Sequence, residues 1–387
     1  MLGFIQRSEV RRHALLQDLL QNVQRASIFP RILQILLFSM RLRVSLFFLI
    51  CIVLGVMLVS CAGDQPPAGS FVDYERVWDF PEEIHLTDGE VLDVGVAGVM
   101  DVDVAGDYLW LAGINPEELI VAFKLEDGTR AGGFFKLGNG PGELLSPPLF
   151  NIFRIEEGRI LRGSLYDGRK EYVVYDMERS LSSGFPVEIS CDIVPAGLES
   201  CIAVGERGYF CRRWNERESG LTRYIWKSGR KESRSLCAPL EKLQITVPSD
   251  GYNFNLAGTA MGYHAGRGCV VEACLFLNMI HLYSLDGSFS KTVCYGRRAD
   301  DLSRLERLPF LEVQRRFNDV RVFDDFFAVL YEGHDVLLFN WSGDPLFRFV
   351  LPEKADSFDM DLSRGIIYAL GIEEERIVKY GITKDLP

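Results

Sequence analysis

The chain has little of what marks the familiar enzyme classes. Five histidines are spread over 387 residues with no His-Glu-x-x-His pair, so a zinc site would have to be assembled from distant positions such as His85, His264, His281 and His334. No Gly-x-Ser-x-Gly elbow exists, and no serine stands in a recognisable acid–base setting. Nine cysteines include no Cys-x-x-Cys pair, which argues against a cysteine-held metal. Basic clusters are short, Arg297-Arg298 and Arg315-Arg316 among them, and a nucleic-acid surface needs longer ones. The glycine-rich stretch Gly138-Asn139-Gly140-Pro141-Gly142-Glu143 lacks the Lys-Ser or Lys-Thr of a phosphate loop. It adds a carboxylate and is followed by Pro147-Pro148, which stops a helix, so a tight connection with glycine at positive φ is the simpler reading.

What is present is apolar material and acid. Hydrophobic residues make up 48% and charged residues 25%, the composition of a folded chain with a large core. Residues 1–39 carry Arg7, Arg11, Arg12, Arg25 and Arg31 against Glu9 and Asp18. Met40-Arg41-Leu42-Arg43 then gives a start-like methionine and two positive charges, followed by an unbroken apolar run from Val44 to Val59 and then Ser60-Cys61. Charged region, apolar region and small residue, in that order, form a secretory signal peptide. A spanning helix is the rival, because the run is close to the roughly 17 residues a bilayer requires.

Leu58-Val59-Ser60-Cys61 resembles the lipobox of bacterial lipoproteins, whose cysteine is lipidated and becomes the first mature residue. Ala62-Gly63-Asp64-Gln65-Pro66-Pro67 follows as a tether, not as a cationic stop-transfer flank. The expected organisation is an upstream extension (1–39) outside the true start, a signal peptide (40–61), a flexible tether (62–70) and one domain (71–387). Removal of residues 1–61 takes away seven basic and two acidic residues and leaves a net charge of about -17, unfavourable for nucleic acid. Seven cysteines remain: Cys191, Cys201, Cys211, Cys237, Cys269, Cys274 and Cys294. Export permits disulfides, and the even spacing of the first three is suggestive, but buried free thiols are the first expectation and connectivity is open.

A repeat organises the domain. Turns at Asp127-Gly128, Asp176-Met177, Ser228-Gly229, Asp286-Gly287 and Ser342-Gly343 recur at intervals of 49, 52, 58 and 56 residues, each flanked by short apolar strands. A period near 50 with about four strands per unit is the signature of a β-propeller, where neighbouring blades bury each other's faces. Ser357–Met360, Ile366–Leu370 and Arg376–Ile382 supply three strands of a sixth unit. The segment Phe71–Leu86 is expected to close the ring as its fourth strand, giving an all-β, six-bladed propeller with four-stranded antiparallel blades.

The six units behind a lipobox, with Gly138–Glu143 closing the first full blade, resemble the six-bladed β-propeller lipoproteins of the TolB-like and NHL-like group of gut anaerobes. The resemblance covers roughly residues 71–383. It implies fold and location and little chemistry.

Candidate ligand positions come from alternation. Asp101 and Asp103 project to one side of a strand, Asp359 and Asp361 repeat the pattern in the last unit, and the fifth offers Asp319 and Arg321. On innermost strands these side chains would gather near the central channel, although hydrogen bonds between blades are the simpler use. Oxygen ligands of this kind would suit Ca²⁺, yet no EF-hand loop is present, since Ala112 stands where its closing glutamate belongs. Trp110, Trp214, Trp226 and Trp341 follow the repeat and are expected in the core rather than stacking on sugars.

The expected function is a lipid-anchored envelope propeller, attached to the bilayer through Cys61 on the outer membrane and facing the periplasm, with display at the cell surface as the alternative. It would bind or scaffold a protein, peptide or glycan without catalysis, cofactor or nucleic acid. The alternative is a Ca²⁺-dependent lactonase- or esterase-like hydrolase acting in the channel.

Overall fold

A computed structural model of the protein describes residues 15–22, 66–140, 142–147, 153–156, 160–166, 171–205, 208–215, 220–227, 235–236, 256, 258–382 and 386. The chain divides into two compact units, Met1–Gln65 and Pro66–Pro387. In the first, residues 15–22 form an exposed helix, α1. The apolar run 44–59, Cys61, Cys237 and the Ser228-Gly229 turn lie outside the described residues. Among the described residues, no helix is long and apolar enough to cross a membrane.

The second unit, in its described residues, is all-β apart from short helical turns. It opens with three short strands, β1 (Tyr74–Val77), β2 (Glu82–His85) and β3 (Glu90–Leu92). The first sheet follows as β4 (Val99–Ala105), β5 (Tyr108–Gly113), β6 (Ile120–Lys124) and β7 (Arg130–Phe134), and a two-stranded ribbon of β8 (Lys136–Leu137) and β9 (Glu143–Leu144) comes after it. The second sheet is β10 (Phe153–Glu156), β11 (Ile160–Tyr166), β12 (Glu171–Asp176) and β13 (Val187–Ile193). The third is β14 (Ser200–Ala203), β15 (Gly208–Asn215), β16 (Gly220–Lys227) and β17 (Ser235–Leu236). The fourth is β18 (Thr259–His264), β19 (Cys269–Cys274), β20 (Met279–Ser284) and β21 (Ser290–Tyr295), and the fifth is β22 (Phe317–Val322), β23 (Phe326–Tyr331), β24 (Asp335–Asn340) and β25 (Pro345–Val350).

Five four-stranded antiparallel blades of a β-propeller are thus built from consecutive stretches of chain. A further sheet is composite. β26 (Ser357–Asp361), β27 (Ile366–Gly371) and β28 (Arg376–Gly381) take β3 as an antiparallel fourth strand, with Val91 opposite Val378.

The segment expected to supply that fourth strand does something else. β1 adds parallel to β21, with Tyr74 opposite Thr292, and β2 adds parallel to β25, with Ile84 opposite Phe349. Phe71–Leu86 therefore gives fifth strands to the fourth and fifth sheets, and the strand that completes the last sheet lies just beyond it. Two causes are visible. Pro81 has no N–H, so one continuous ladder across the segment is broken there. The outer edges of β21 and β25 would otherwise be open. Phe80 sits at the step between the two sheets, 6.0 Å from the Tyr295 ring and 5.3 Å from that of Phe339.

The turns obey the chemistry of their residues in most repeats. Gly128 adopts φ +68° and Gly343 φ +87°, a region that costs little only without a Cβ. Asp127 accepts from the Thr129 amide at 2.9 Å. Asp176-Met177 departs from this pattern. There the chain forms helix α2 (Met177–Ser183), with Asp176 as N-cap accepting from the Arg179 amide and Gly184 in the left-handed conformation at its end.

The core lies between the sheets. Val271, Ile280 and Leu282 of the fourth sheet meet Phe317, Phe327 and Phe339 of the fifth. Burying one such side chain fully contributes about 1.5–3 kcal/mol, so each interface is held by many comparable terms. Val102, Leu109 and Leu111 of the first sheet pack in one cluster with Tyr368, Leu370 and Ile377 of the composite sheet. Trp110 is fully buried and donates to the Ala105 carbonyl at 3.1 Å, and Trp341 donates to the Phe323 carbonyl at 3.1 Å. These two indoles are core, as the repeat spacing implied.

Candidate functional site: carboxylates around Arg321

The first strands of three sheets, β4, β22 and β26, carry the charged side chains singled out by alternation, and the fold gathers five of the six. Arg321 is the centre. Its Nη2 lies 2.9 Å from Asp101 Oδ1 and 2.9 Å from Asp319 Oδ2, and its Nε lies 3.9 Å from Asp359 Oδ1. Nε also donates to the Phe358 carbonyl and Nη2 to that of Val102, each at 2.8 Å. Ser357 Oγ stands 2.5 Å from Asp101 Oδ1 and 2.9 Å from Asp319 Oδ2. A hydroxyl has one proton, so it donates to only one of these carboxylates at a time.

Part of this arrangement joins sheets together. Asp359 Oδ2 accepts from the Val104 amide across the junction at 2.6 Å, and Asp319 Oδ2 accepts from the Phe358 amide at 3.2 Å. The hydrogen-bonding role weighed against ligand binding is therefore real for those two. Asp103 differs: it is partly buried, and its carboxylate makes no hydrogen bond to any described residue.

Among the described residues four carboxylates face one guanidinium, and the electrostatics follow from that crowding and from burial. Burial pushes Asp319 up to about 7 despite the Arg321 charge beside it, with Asp101 adding repulsion. Asp359 is pushed up to about 6, again by burial against the pull of Arg321. Asp103 rises well above the usual carboxylate range through burial and the neighbouring Asp359. The cluster can hold protons near neutral pH.

Asp361 is not part of it. It caps the turn after β26, accepting from Ser363 Oγ at 2.6 Å, from the Arg364 amide at 3.0 Å and from Arg364 Nη1 at 2.8 Å. Although burial works against it, these donors hold its carboxyl below the usual range.

A second charged network lies between the third and fourth sheets, and the sequence reading missed it. Glu272 on β19 is fully buried. Arg223 grips both its oxygens, Nε to Oε1 at 2.8 Å and Nη2 to Oε2 at 2.5 Å. Tyr283 donates to Oε1 at 2.6 Å and Thr259 to Oε2 at 2.8 Å. Arg212 stands 3.7 Å from Glu272, donates to Thr259 Oγ1 at 2.6 Å and pairs with Glu199 at 2.9 Å. Burial opposes ionisation of Glu272, but Arg223 and Arg212 outweigh it and hold the carboxyl far below its ordinary value. The available signal was a charge in the middle of an apolar strand, Glu272 within Cys269–Cys274.

Beside it, His281 Nε2 lies 3.2 Å from Cys274 Sγ and Nδ1 lies 3.1 Å from Thr292 Oγ1. Both residues are fully buried. Burial lowers the imidazole to about 4 and pushes the thiol upward, so the pair is neutral and is not an activated nucleophile.

The Gly138–Glu143 loop folds on itself. Glu143 Oε2 accepts from the Gly140 amide at 2.6 Å, and the Gly138 amide reaches the Leu144 carbonyl at 2.9 Å. The position an anion would need holds the loop's own carboxylate. Among the described residues, no group of three or more His, Cys, Asp or Glu is arranged to hold a metal.

No protein-family model matches the chain, and no curated protein matches it. Solved structures similar to it are propellers at low identity. The RRP9 WD40 repeats align at 13% identity and a TM-score of 0.45, covering 76% of this chain and 97% of that one. U3-55K aligns at 14% and 0.45, covering 76% and 98%, and BamB from Moraxella catarrhalis at 9% and 0.33, covering 74% and 70%. The propeller assignment stands on the strand order of this chain.

Proposed function

We propose that the protein is a lipid-anchored β-propeller of the cell envelope, kin to the TolB-like and NHL-like lipoproteins, that binds a partner without catalysis. The partner would be a protein or peptide offering a basic group to the carboxylates around Arg321. The observation that carries this reading is the crowding of acid there: among the described residues Asp101, Asp103, Asp319 and Asp359 face one guanidinium, and the Asp103 carboxylate makes no hydrogen bond to a described residue. A ligand ammonium or guanidinium would supply the missing charge where burial amplifies its effect. An uncharged glycan would not.

In this reading the six sheets are the six blades of one ring, closed where the composite sheet packs on the first. The mixed core cluster and the Val104–Asp359 hydrogen bond support that closure. The anchor is Cys61, supported by the Leu58–Cys61 pattern, with the outer membrane facing the periplasm as the location. Replacing Cys61 by Ala should release the protein from membranes, and retention would point to a spanning helix.

Binding of basic and acidic model peptides to the domain, read by calorimetry, tests the ligand class. Basic peptides should bind at low salt and weaken in Asp103→Asn, whereas equal affinity for both peptide classes would remove the proposal. The hydrolase alternative would have the same carboxylates hold Ca²⁺. Arg321 already stands between them, so an ester- or lactone-cleaving activity lost on chelation would be needed to favour it.

A further inference from the structure

Cys201 and Cys211 are opposed across two neighbouring antiparallel strands, and we infer that they form a disulfide in the exported protein. The residues are direct partners in the β14–β15 register, and their sulfurs are 3.7 Å apart. The Val204 amide donates to the Gly208 carbonyl within the same ladder. In antiparallel pairing hydrogen-bonded and non-hydrogen-bonded positions alternate, so Cys201 and Cys211, three steps away, occupy a non-hydrogen-bonded position. At such positions Cα atoms approach to about 4.5 Å, inside the span of about 4.4–6.8 Å that a disulfide bridges. A small rotation of the side chains brings the sulfurs to bonding distance without moving the backbone.

The other described cysteines lack this opposition. Cys191 is exposed on β13, Cys274 contacts His281, Cys269, partly buried, donates to the Arg267 carbonyl, and Cys294 stands opposite Met279 and Arg76. Cys201 and Cys211 are buried under Tyr172, Tyr209 and Tyr224. The adjoining Cys211 sulfur and burial push the Cys201 thiol strongly upward, and both side chains are shut off from solvent, so the folded pair is shielded from exchange. Oxidation therefore belongs to folding, before the rings close over the sulfurs. A disulfide-bearing oxidant exchanges with one thiolate, and the second thiolate displaces the carrier. Two protons and two electrons leave the pair, and the oxidant's disulfide becomes two thiols.

This inference rests on the export reading, and the test separates the two. Full-length protein extracted from membranes is alkylated without reduction and digested with trypsin, which cuts after Arg207 between the two cysteines. The expected product joins residues 180–207 to 208–212 through one disulfide, with Cys191 alkylated. In parallel, protein reduced and unfolded is refolded with oxidised glutathione. The linked peptide in both samples supports the inference. The link in the refolded sample alone supports the pairing and removes the location. Its absence from both, or a link from Cys191 to Cys211 instead, overturns the pairing. Reductant should lower the melting temperature of the linked protein by a few degrees and leave that of a Cys201→Ala, Cys211→Ala variant unchanged. An equal drop in both would also overturn it.

Discussion

Two buried charge networks sit at sheet junctions of one molecule and are built to opposite balances. Around Glu272 two guanidinium groups serve one fully buried carboxylate, which also accepts from Tyr283 and Thr259, and Glu199 answers the second arginine. Around Arg321, among the described residues, one guanidinium serves four carboxylates. The first is complete within the protein, with its charges matched and its lone pairs used. The second carries excess negative charge that burial makes costly, and the cost appears as raised carboxyl affinities for protons. A network that is satisfied specifies packing. One that is not has capacity left for something else, and that difference separates structural charge from candidate binding charge here.

The sharpest way to break the comparison is to unbalance the balanced network. Glu272→Gln leaves Arg223 buried without its carboxylate while Arg212 keeps Glu199, and should cost about 3–5 kcal/mol in urea unfolding at neutral pH. A loss under about 1 kcal/mol would mean that water reaches the site and that the network is not sealed. Arg321→Met removes the one cation that the described residues give the other cluster and should cost about 3–5 kcal/mol at pH 7.5. Its cost should shrink at pH 5, where the remaining carboxylates take up protons, whereas the Glu272→Gln loss should not. Equal losses at both pH values would show that the acidic cluster carries no excess charge.

The pH dependence has a definite sign for each network. Asp319 titrates near 7 when folded, against about 3.9 in an unfolded chain. The folded state then binds more protons than the unfolded state across that window, so this group's effect is to lower stability as pH rises from about 4 to about 7. Glu272 works in the other direction: its depressed value gives stability above about 4.5 that is lost as pH falls below. Asp319→Asn should flatten the limb between pH 4 and 7 by about 1–3 kcal/mol and leave the acid limb intact. An unchanged limb in urea titrations would assign it to other groups.

These outcomes also measure how far sequence alone reaches. Alternation of charged and apolar residues in β4, β22 and β26 was enough to bring together Asp101, Asp103, Asp319, Arg321 and Asp359, because a strand has only two sides. The Glu272 network was within reach through one charge in an apolar strand, but its partner Arg223 is on another sheet, and no local pattern names a partner. The same limit explains the N-terminal segment. Tyr74–Val77 and Glu82–His85 have strand composition, yet β21, β25 and β28 each offered an open edge, and the choice among them belongs to tertiary packing. Asp176-Met177 was misread because an aspartate before a break serves a turn and a helix N-cap equally well.

Asp361 gives the smallest and most discriminating effect. It lies two residues beyond Asp359 on β26, and a period-two pattern extended by one step put it in the cluster. The strand ends there, and the side chain turns to Ser363 and Arg364. Asp361→Asn should therefore cost about 1 kcal/mol, the usual price of a lost capping interaction. It should leave both the limb between pH 4 and 7 and the affinity for basic peptides as they are. Asp103→Asn should do the reverse, changing peptide affinity and the pH limb with little loss of stability, because the Asp103 carboxylate makes no hydrogen bond to a described residue. If the two variants behave alike, the line between the Arg321 cluster and its surroundings has been drawn in the wrong place, since two aspartates of one strand pattern would then share a role that their contacts do not.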